Sequence, residues 1–244
     1  MKNILFVLDR DMRSNSAIHV HSLANGLSQS GLDCVISVPA NNQALPDQGA
    51  IRYRVIEHKQ SGDLPKLYAN GSGPDVTHCW TPRESIRKFC VELREKYAFK
   101  LVIHLEDNEE LLTQKFCTQQ QLSGQAEFPD TWSHPVLYRE FMAEADGATV
   151  IIKELQEFVP APKPSLTLWP GVDTGIFYPR PADHELSKQL QIPLNSLVIV
   201  YTGNVHAANA TEVRSLYLAV AMLNREGIPT CLIRTGVDYL NYLG

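Results

Sequence analysis

The sequence lacks a long hydrophobic run, an excess of positive charge and a paired cysteine motif. No segment approaches the ~18 uninterrupted apolar residues of a membrane span. The N-terminal apolar run reaches Asp9 without a small-residue cleavage site, so we expect a strand there and not a signal peptide. A net charge of −5 excludes an electrostatic case for nucleic acid as a partner or for an anionic membrane as the main one. The five scattered cysteines favour reduced thiols, and we expect a cytoplasmic protein.

Several catalytic and metal-binding motifs are also absent. No G-x-G-x-x-G follows the first apolar run, so a nicotinamide-dependent oxidoreductase ranks last among the hypotheses. The hydrolase motif G-x-S-x-G and the nucleotide-binding motif G-x-x-x-x-G-K-[ST] are missing as well. His19 and His21 lie two residues apart on a predicted helix, which makes a poor metal pair. We therefore expect neither a metal nor a cofactor.

The chain does contain a regular alternation of two patterns. Short continuous apolar runs are typical of parallel strands covered on both faces, and apolar residues at i, i+3, i+4 and i+7 predict helices between them. The predicted strands are 4–8, 34–38, 51–56, 76–79, 101–105, 148–152 and 166–168. This alternation predicts an α/β fold with a mostly parallel, doubly wound sheet over residues 1–168.

A segment rich in proline and glycine follows the last of these strands. Pro170 and Gly171 form a turn pair, and Pro179 and Pro181 hold the exit extended. We predict that residues 169–181 form a hinge between two domains. Because Trp169, Val172, Ile176 and Phe177 are apolar, we also expect this joint to pack against what it connects.

The α/β pattern restarts after the joint. We predict strands at 197–202 and 230–235 and a long helix between them that ends at Gly227. One βαβ crossover is unable to cover both faces of its own sheet. We therefore expect residues 182–244 to be the opening of a second α/β domain, and the natural protein to continue past Gly244.

Two α/β lobes joined by Pro-Gly-Val-Asp-x-x-x-Phe-x-Pro resemble the GT-B glycosyltransferases, most closely the retaining family 4, or group 1. The segments that carry the resemblance are Pro74-Asp-Val-Thr-His78, Val102-Ile-His-Leu-Glu-Asp107, Trp169-Pro-Gly-Val-Asp173 and Tyr201-Thr-Gly-Asn-Val-x-x-x-Asn209. The resemblance implies a Rossmann-like first lobe and a second one. It also implies transfer of a sugar from a nucleotide sugar, bound mainly by the second lobe, to an acceptor held mainly by the first.

The resemblance also assigns candidate donor-binding residues. A loop that opens into a helix presents free N–H groups to a diphosphate, and Gly203 would allow close backbone approach. Asn204, His206 and Asn209 would donate hydrogen bonds. The alternative is an ordinary turn in which Asn209 caps the helix.

The resemblance to the family's strand-end histidine makes His104 the candidate catalytic residue; it lies near the end of a predicted strand, where ligands of doubly wound sheets bind. It would bind the transferred sugar or stabilise its charge; the alternative is a core histidine satisfied by a neighbour. The remaining candidates form an acceptor-side loop (Ser14, Asn15, Ser16 and His19) and a cleft (Trp169, Gly171 and Asp173). The alternative role for Asp173 is to cap the segment after the turn. The acceptor is open: a glycan, a lipid-linked glycan or a small molecule.

Three departures from the family pattern limit this interpretation. The first loop lacks the usual Gly-Gly pair, the loop at 203–209 contains no Arg or Lys, and the E-x7-E motif would lie beyond Gly244. Glu84 and Glu92 have that spacing, but we expect two solvated helix carboxylates. We expect this chain to be inactive alone, and the alternative hypothesis is a noncatalytic sugar- or nucleotide-binding module. For a lipid-linked acceptor, the basic helix after Pro82 is the first candidate for a peripheral membrane contact.

Overall fold

The structure is a computed structural model that describes residues 2–40, 51–206 and 209–238. The chain divides into two compact units, Met1–Phe177 and Tyr178–Gly244. The division falls within residues 169–181, and a hinge function for that segment stays a prediction.

The first unit is built on seven parallel strands. They are β1 (Asn3–Leu8), β2 (Asp33–Val38), β3 (Arg54–Glu57), β4 (Val76–Trp80), β5 (Lys100–Leu105), β6 (Gly147–Val150) and β7 (Ser165–Thr167). Their order is β3-β2-β1-β4-β5-β6-β7, and every neighbouring pair is parallel. The predicted α/β fold with a parallel sheet is confirmed. The continuous apolar runs identified its inner strands because their side chains are buried on both faces.

Helices connect these strands. They are α1 (Asn15–Gln29), α2 (Leu64–Leu67), α3 (Glu84–Lys96), α4 (Glu109–Phe116), α5 (Gln119–Leu122) and α6 (Leu137–Glu144), with 3₁₀ segments at His58–Asp63 and Lys153–Phe158. The sequence did not indicate α2, α5 or the first 3₁₀ segment, because one turn of helix carries no periodic signal.

The apolar core lies on both faces of the sheet. On one face α1 packs its buried Ala17, Val20 and Ala24 against strand residues that include Phe6. On the other face α3 and α6 contribute Phe89, Phe141 and their apolar neighbours. This covering of both faces is what a parallel sheet requires, and it leaves the carboxyl ends of the strands for polar groups.

The second unit contains α7 (His184–Gln189), β8 (Leu197–Thr202), α8 (Ala210–Arg225) and β9 (Thr230–Thr235). The parallel β8-β9 pair has the predicted strand boundaries. Its apolar residues are poorly covered, since Leu197 is 52% and Val200 57% exposed. Among the residues that the structure describes in both units, no helix is long and apolar enough to cross a membrane.

Candidate functional site

The strand order reverses between β1 and β4, and this switch point defines the candidate site. In open α/β sheets, ligands bind outside the carboxyl ends of the strands at such a point. Leu8, Trp80, His104 and Thr149 lie side by side on β1, β4, β5 and β6, at or near these ends. The polar residues described below therefore meet at one edge of the sheet.

His104 is buried beneath a tryptophan. Its ring stacks on Trp80 with centroids 4.0 Å apart and planes 27° apart, and its Nδ1 lies 2.8 Å from Thr149 Oγ1. Its Nε2 is closed to solvent and has no hydrogen-bond partner among the described residues. Burial lowers the pKa of His104 to about 4, against the opposing charge of Glu106, so the ring is neutral at pH 7.

Glu106 joins several of these groups. Its Oε1 accepts a 2.8 Å hydrogen bond from Trp80 Nε1 and lies 3.3 Å from His19 Nδ1, and its Oε2 accepts a hydrogen bond from Ser16 Oγ. Burial by itself raises the pKa of Glu106, but the hydrogen bonds from His19, Ser16 and Trp80 outweigh burial and hold the pKa below its usual value. Glu106 is therefore a carboxylate that ties α1 to the tryptophan covering His104.

Most of the predicted acceptor-side loop belongs to a helix. Ser14 Oγ accepts a hydrogen bond from Ala17 N and acts as the N-cap, so the helix begins at Asn15. Asn15, Ser16 and His19 consequently lie on α1. Ser16 and His19 reach the site through Glu106, whereas Asn15 is exposed at the first position of the helix.

Arg83 forms a second polar cluster beside the first. Its Nη1 donates a 2.6 Å hydrogen bond to Asp9 Oδ2, and it lies 3.8 Å from Asp107 Oδ2 and 3.7 Å from Glu109 Oε2. Glu109 Oε2 also accepts a 2.7 Å hydrogen bond from Ser133 Oγ. Burial raises the pKa of Glu109, partly offset by Arg83. Arg83 Nε and Glu109 Oε1 are buried without a hydrogen-bond partner among the described residues.

This cluster corrects two expectations. Arg83, the first basic residue after Pro82, is not an exposed surface charge, because it occupies the N-cap position of α3 and is 8% exposed. Glu84 is not a solvated carboxylate either: it is buried and binds both Nε and Nη2 of Arg87. Glu92 is exposed, as expected. Sequence periodicity places residues on a helix face but does not reveal a charged partner contributed by another segment.

Thr81 is the most unusual backbone position of this edge. Its φ is +80°, a conformation that a β-branched residue rarely adopts. Its N–H donates a 3.0 Å hydrogen bond to the carbonyl of His104, and its Oγ1 is buried without a partner among the described residues. Such outliers cluster at functional sites. No sequence signal identified Thr81.

A groove of about 1080 Å³ lies beside this cluster, within the first unit. One wall is α1 and the other is the segment 168–177. The lining includes His19 and the three predicted cleft residues, Trp169, Gly171 and Asp173. The carboxylate of Asp173 accepts a 2.8 Å hydrogen bond from Gly175 N, so this residue both caps the turn and lines the groove.

The apolar joint is not packed as expected. Trp169, Val172, Ile176 and Phe177 are 43 to 67% exposed. All four contribute to the open wall of the groove, which explains why they are not buried in a core. A flat apolar wall of this kind suits a ligand with a hydrophobic or sugar-ring face.

The predicted donor loop lies in the second unit and is held together by its own amides. Asn209 Nδ2 donates to Asn204 O at 2.9 Å and to Tyr201 Oη at 3.1 Å, and Asn209 Oδ1 accepts from His206 N at 2.9 Å. Asn209 occupies the N-cap position of α8, but it makes no side-chain hydrogen bond to the first turn of the helix. Asn204 Oδ1 accepts a 2.8 Å hydrogen bond from Val237 N.

The close backbone approach at this loop depends on Gly236 and not on Gly203. A Cβ built on Gly236 would lie 2.5 Å from Gly203 O, whereas a Cβ built on Gly203 would meet the Tyr201 side chain at 3.6 Å. Within the parts of the chain that the structure describes, no group of three or more His, Cys, Asp or Glu residues is arranged to hold a metal ion.

Comparison with solved structures identifies the fold. HepE from Anabaena in complex with UDP-glucose matches 97% of this chain and 70% of its own, with a TM-score of 0.59 and 13% identity. Sucrose-phosphate synthase from Thermosynechococcus elongatus matches 97% of this chain and 71% of its own, with a TM-score of 0.55 and 12% identity. UGT2 from Phytolacca americana, complexed with UDP-2fluoro-glucose and pterostilbene, matches 97% and 72%, with a TM-score of 0.55 and 12% identity.

No protein-family model and no curated protein matches the sequence. At these identities the structural likeness shows the fold alone. The chain has the Rossmann-like α/β fold found in GT-B glycosyltransferases.

Proposed function

We propose that this chain is the acceptor-side lobe and the opening of the donor-side lobe of a retaining GT-B glycosyltransferase of family 4. The observation that carries the proposal is His104, a buried neutral histidine at the switch point of the sheet, with one ring nitrogen hydrogen-bonded and the other without a partner among the described residues. The fold, shared with proteins whose structures contain UDP-glucose or a fluoro analogue, supports a nucleotide sugar as donor.

The charge state of His104 suits this reaction. Sugar transfer develops positive charge at the anomeric carbon and negative charge on the departing diphosphate. An imidazolium next to the anomeric carbon would oppose the positive charge, and the lowered pKa of His104 avoids this at pH 7. Neutral Nε2 is able to make one hydrogen bond to a sugar oxygen.

Access to His104 requires a rearrangement. Solvent does not reach Nε2 in this structure, and Trp80, held by Glu106, covers one face of the ring. We propose that substrate displaces this cover and that the neighbouring groove takes the acceptor against Trp169. In this proposal the enzyme is cytoplasmic, and backbone N–H groups and side-chain donors hold the diphosphate without a metal.

The second unit has exposed apolar faces. The apolar faces of β8 and α8 are exposed at Val200 (57%), Leu218 (60%) and Met222 (66%), whereas a parallel sheet is normally covered on both sides. We propose that further α/β structure covers them and supplies the groups that bind the diphosphate.

Release of nucleoside diphosphate from a panel of nucleotide sugars tests the proposal. The whole gene product should be active and insensitive to a chelator, the 244-residue chain alone inactive. In the whole product, His104→Ala should lower turnover at least ~100-fold, while His184→Ala, at an exposed histidine of α7, should leave it unchanged. Unchanged turnover in His104→Ala would contradict a role for His104 in the reaction. Sugar transfer by the 244-residue chain alone would contradict the proposal that further structure is needed.

The second candidate is a noncatalytic sugar- or nucleotide-binding module. It is favoured by the donor loop, where Asn209 Nδ2 already donates to Asn204 O and Tyr201 Oη and Asn204 Oδ1 already accepts from Val237 N. Calorimetric binding of UDP-glucose with no turnover by the whole gene product would support this alternative.

A further inference from the structure

Thr149 lies between two histidines on the face of the sheet that carries α1. Its Oγ1 is 2.8 Å from His104 Nδ1 and 2.9 Å from His78 Nε2. Thr149 and His104 are in register on β6 and β5, and His78 lies on β4 two residues before Trp80. His78 is 8% and His104 1% exposed, so water does not compete freely for these hydrogen bonds.

Elementary chemistry limits how hydrogen atoms are shared within this triad of His78, Thr149 and His104. A neutral imidazole carries one N–H and one lone pair, and a hydroxyl donates one hydrogen. Burial lowers the pKa of His78 to about 3 and that of His104 to about 4, so both rings are neutral at pH 7. Thr149 Oγ1 makes no other hydrogen bond within the described residues, so its hydrogen goes to one of the two rings and the other ring donates to it.

Two arrangements satisfy this count. If His78 Nε2–H donates to Thr149, then Thr149 donates to His104 Nδ1, and His104 carries its proton on Nε2. If Thr149 donates to His78 Nε2, then His104 Nδ1–H donates to Thr149, and both histidines carry their proton on Nδ1. In either arrangement the two rings are the same tautomer.

We propose that Thr149 is a positioning residue whose single hydroxyl couples the tautomer of His104 to that of His78, so that the tautomer of His78 decides what Nε2 of His104 offers to a substrate oxygen. The coupling follows from the contacts of the triad; its effect on turnover rests on the proposed glycosyltransferase function. Nε2 is a donor throughout the population in the first arrangement and an acceptor throughout in the second. Without the hydroxyl, the ring would divide between the two and part of the enzyme would present the wrong group.

Nitrogen-15 NMR of the 244-residue chain at pH 7 tests the coupling directly. In a neutral imidazole, the nitrogen that carries the proton and the nitrogen that carries the lone pair have different chemical shifts. Signals of His78 and His104 are assigned by their loss in His78→Gln and His104→Gln. We expect one tautomer for each ring and the same tautomer in both. Opposite tautomers, or a mixture at His104 in the unmodified chain that His78 does not share in the same proportion, would overturn the proposal.

Two variants distinguish the role of the Thr149 hydroxyl from the role of its side-chain shape. Thr149→Val keeps the branched side chain and loses the hydroxyl, and should give a mixture at His104; Thr149→Ser keeps the hydroxyl and should restore one tautomer. A single tautomer retained in Thr149→Val would also overturn the coupling.

Turnover of the whole gene product adds a second readout. We expect kcat to fall about tenfold in Thr149→Val, KM to change little, and Thr149→Ser to recover most of the rate. A change of tautomer in Thr149→Val without this loss of kcat would support the coupling but contradict its effect on turnover. An absence of sugar transfer in the unmodified enzyme would contradict the proposed function and leave the NMR result intact.

Discussion

Replacing Arg83 with methionine removes a buried cation from three carboxylates. The side chains of Arg83, Asp9 and Glu109 are 10%, 5% and 1% exposed, so Asp9 and Glu109 would be left charged and poorly solvated. Breaking a buried ion pair from one side costs about 3 to 5 kcal/mol. We expect the free energy of unfolding of the first unit to fall by about that amount at pH 8.

The loss should depend on pH in a defined direction. Burial already raises the pKa of Glu109 while Arg83 lowers it, so removing Arg83 raises that pKa further. A carboxyl group whose pKa is higher in the folded state than in the unfolded state loses stability as the pH rises through the folded pKa. The deficit of Arg83→Met should therefore be smaller at pH 5 than at pH 8.

Urea unfolding followed by tryptophan fluorescence measures this change in the first unit alone, because all three tryptophans lie there, at positions 80, 132 and 169. Arg139→Met is the matched control: its partner is Glu110 at 2.7 Å, but its side chain is 68% exposed. That control should lose far less stability than Arg83→Met, because a solvent-exposed ion pair contributes little. Adding Glu109→Gln to Arg83→Met should recover part of the loss, since it removes the uncompensated charge. An Arg83→Met deficit equal to the control's, or equal at both pH values, would refute the reasoning.

Two further predictions concern stability. Because the pKa of His104 falls to about 4 in the folded state, the first unit should lose stability as the pH drops below about 6.5. In urea titrations, His104→Gln should remove about 2 kcal/mol of the stability loss between pH 6.5 and pH 5. An unchanged pH dependence in this variant would argue against a buried neutral ring. Gly73→Ala would put a Cβ 2.4 Å from Tyr97 Cδ1, whereas a Cβ on Gly62 meets nothing within 4 Å. We expect Gly73→Ala to lower the free energy of unfolding by about 1 to 3 kcal/mol and Gly62→Ala to change it far less. Equal effects would contradict the predicted clash.

The local sequence predicted the strands well and the helix starts less well. The strands at 197–202 and 230–235 are apolar runs with clear ends, and the structure confirms their bounds. Ser14, Asn15 and Ser16 were assigned to a loop, whereas Ser14 caps α1 and the other two lie in its first turn. His104 became a candidate through its place near a strand end and the family resemblance, and its neighbours on other strands carried no local signal.

What the sequence determined by itself is the α/β pattern, the parallel sheet and the edge where a ligand would bind, because apolar periodicity and strand ends are properties of short segments. Tertiary structure alone decided which side chains meet at that edge. Glu106 joins Ser16 from α1 to Trp80 on β4, and Thr149 joins His78 to His104 across three strands. These contacts connect residues up to 90 positions apart, and only the strand order and register bring such residues within hydrogen-bonding distance.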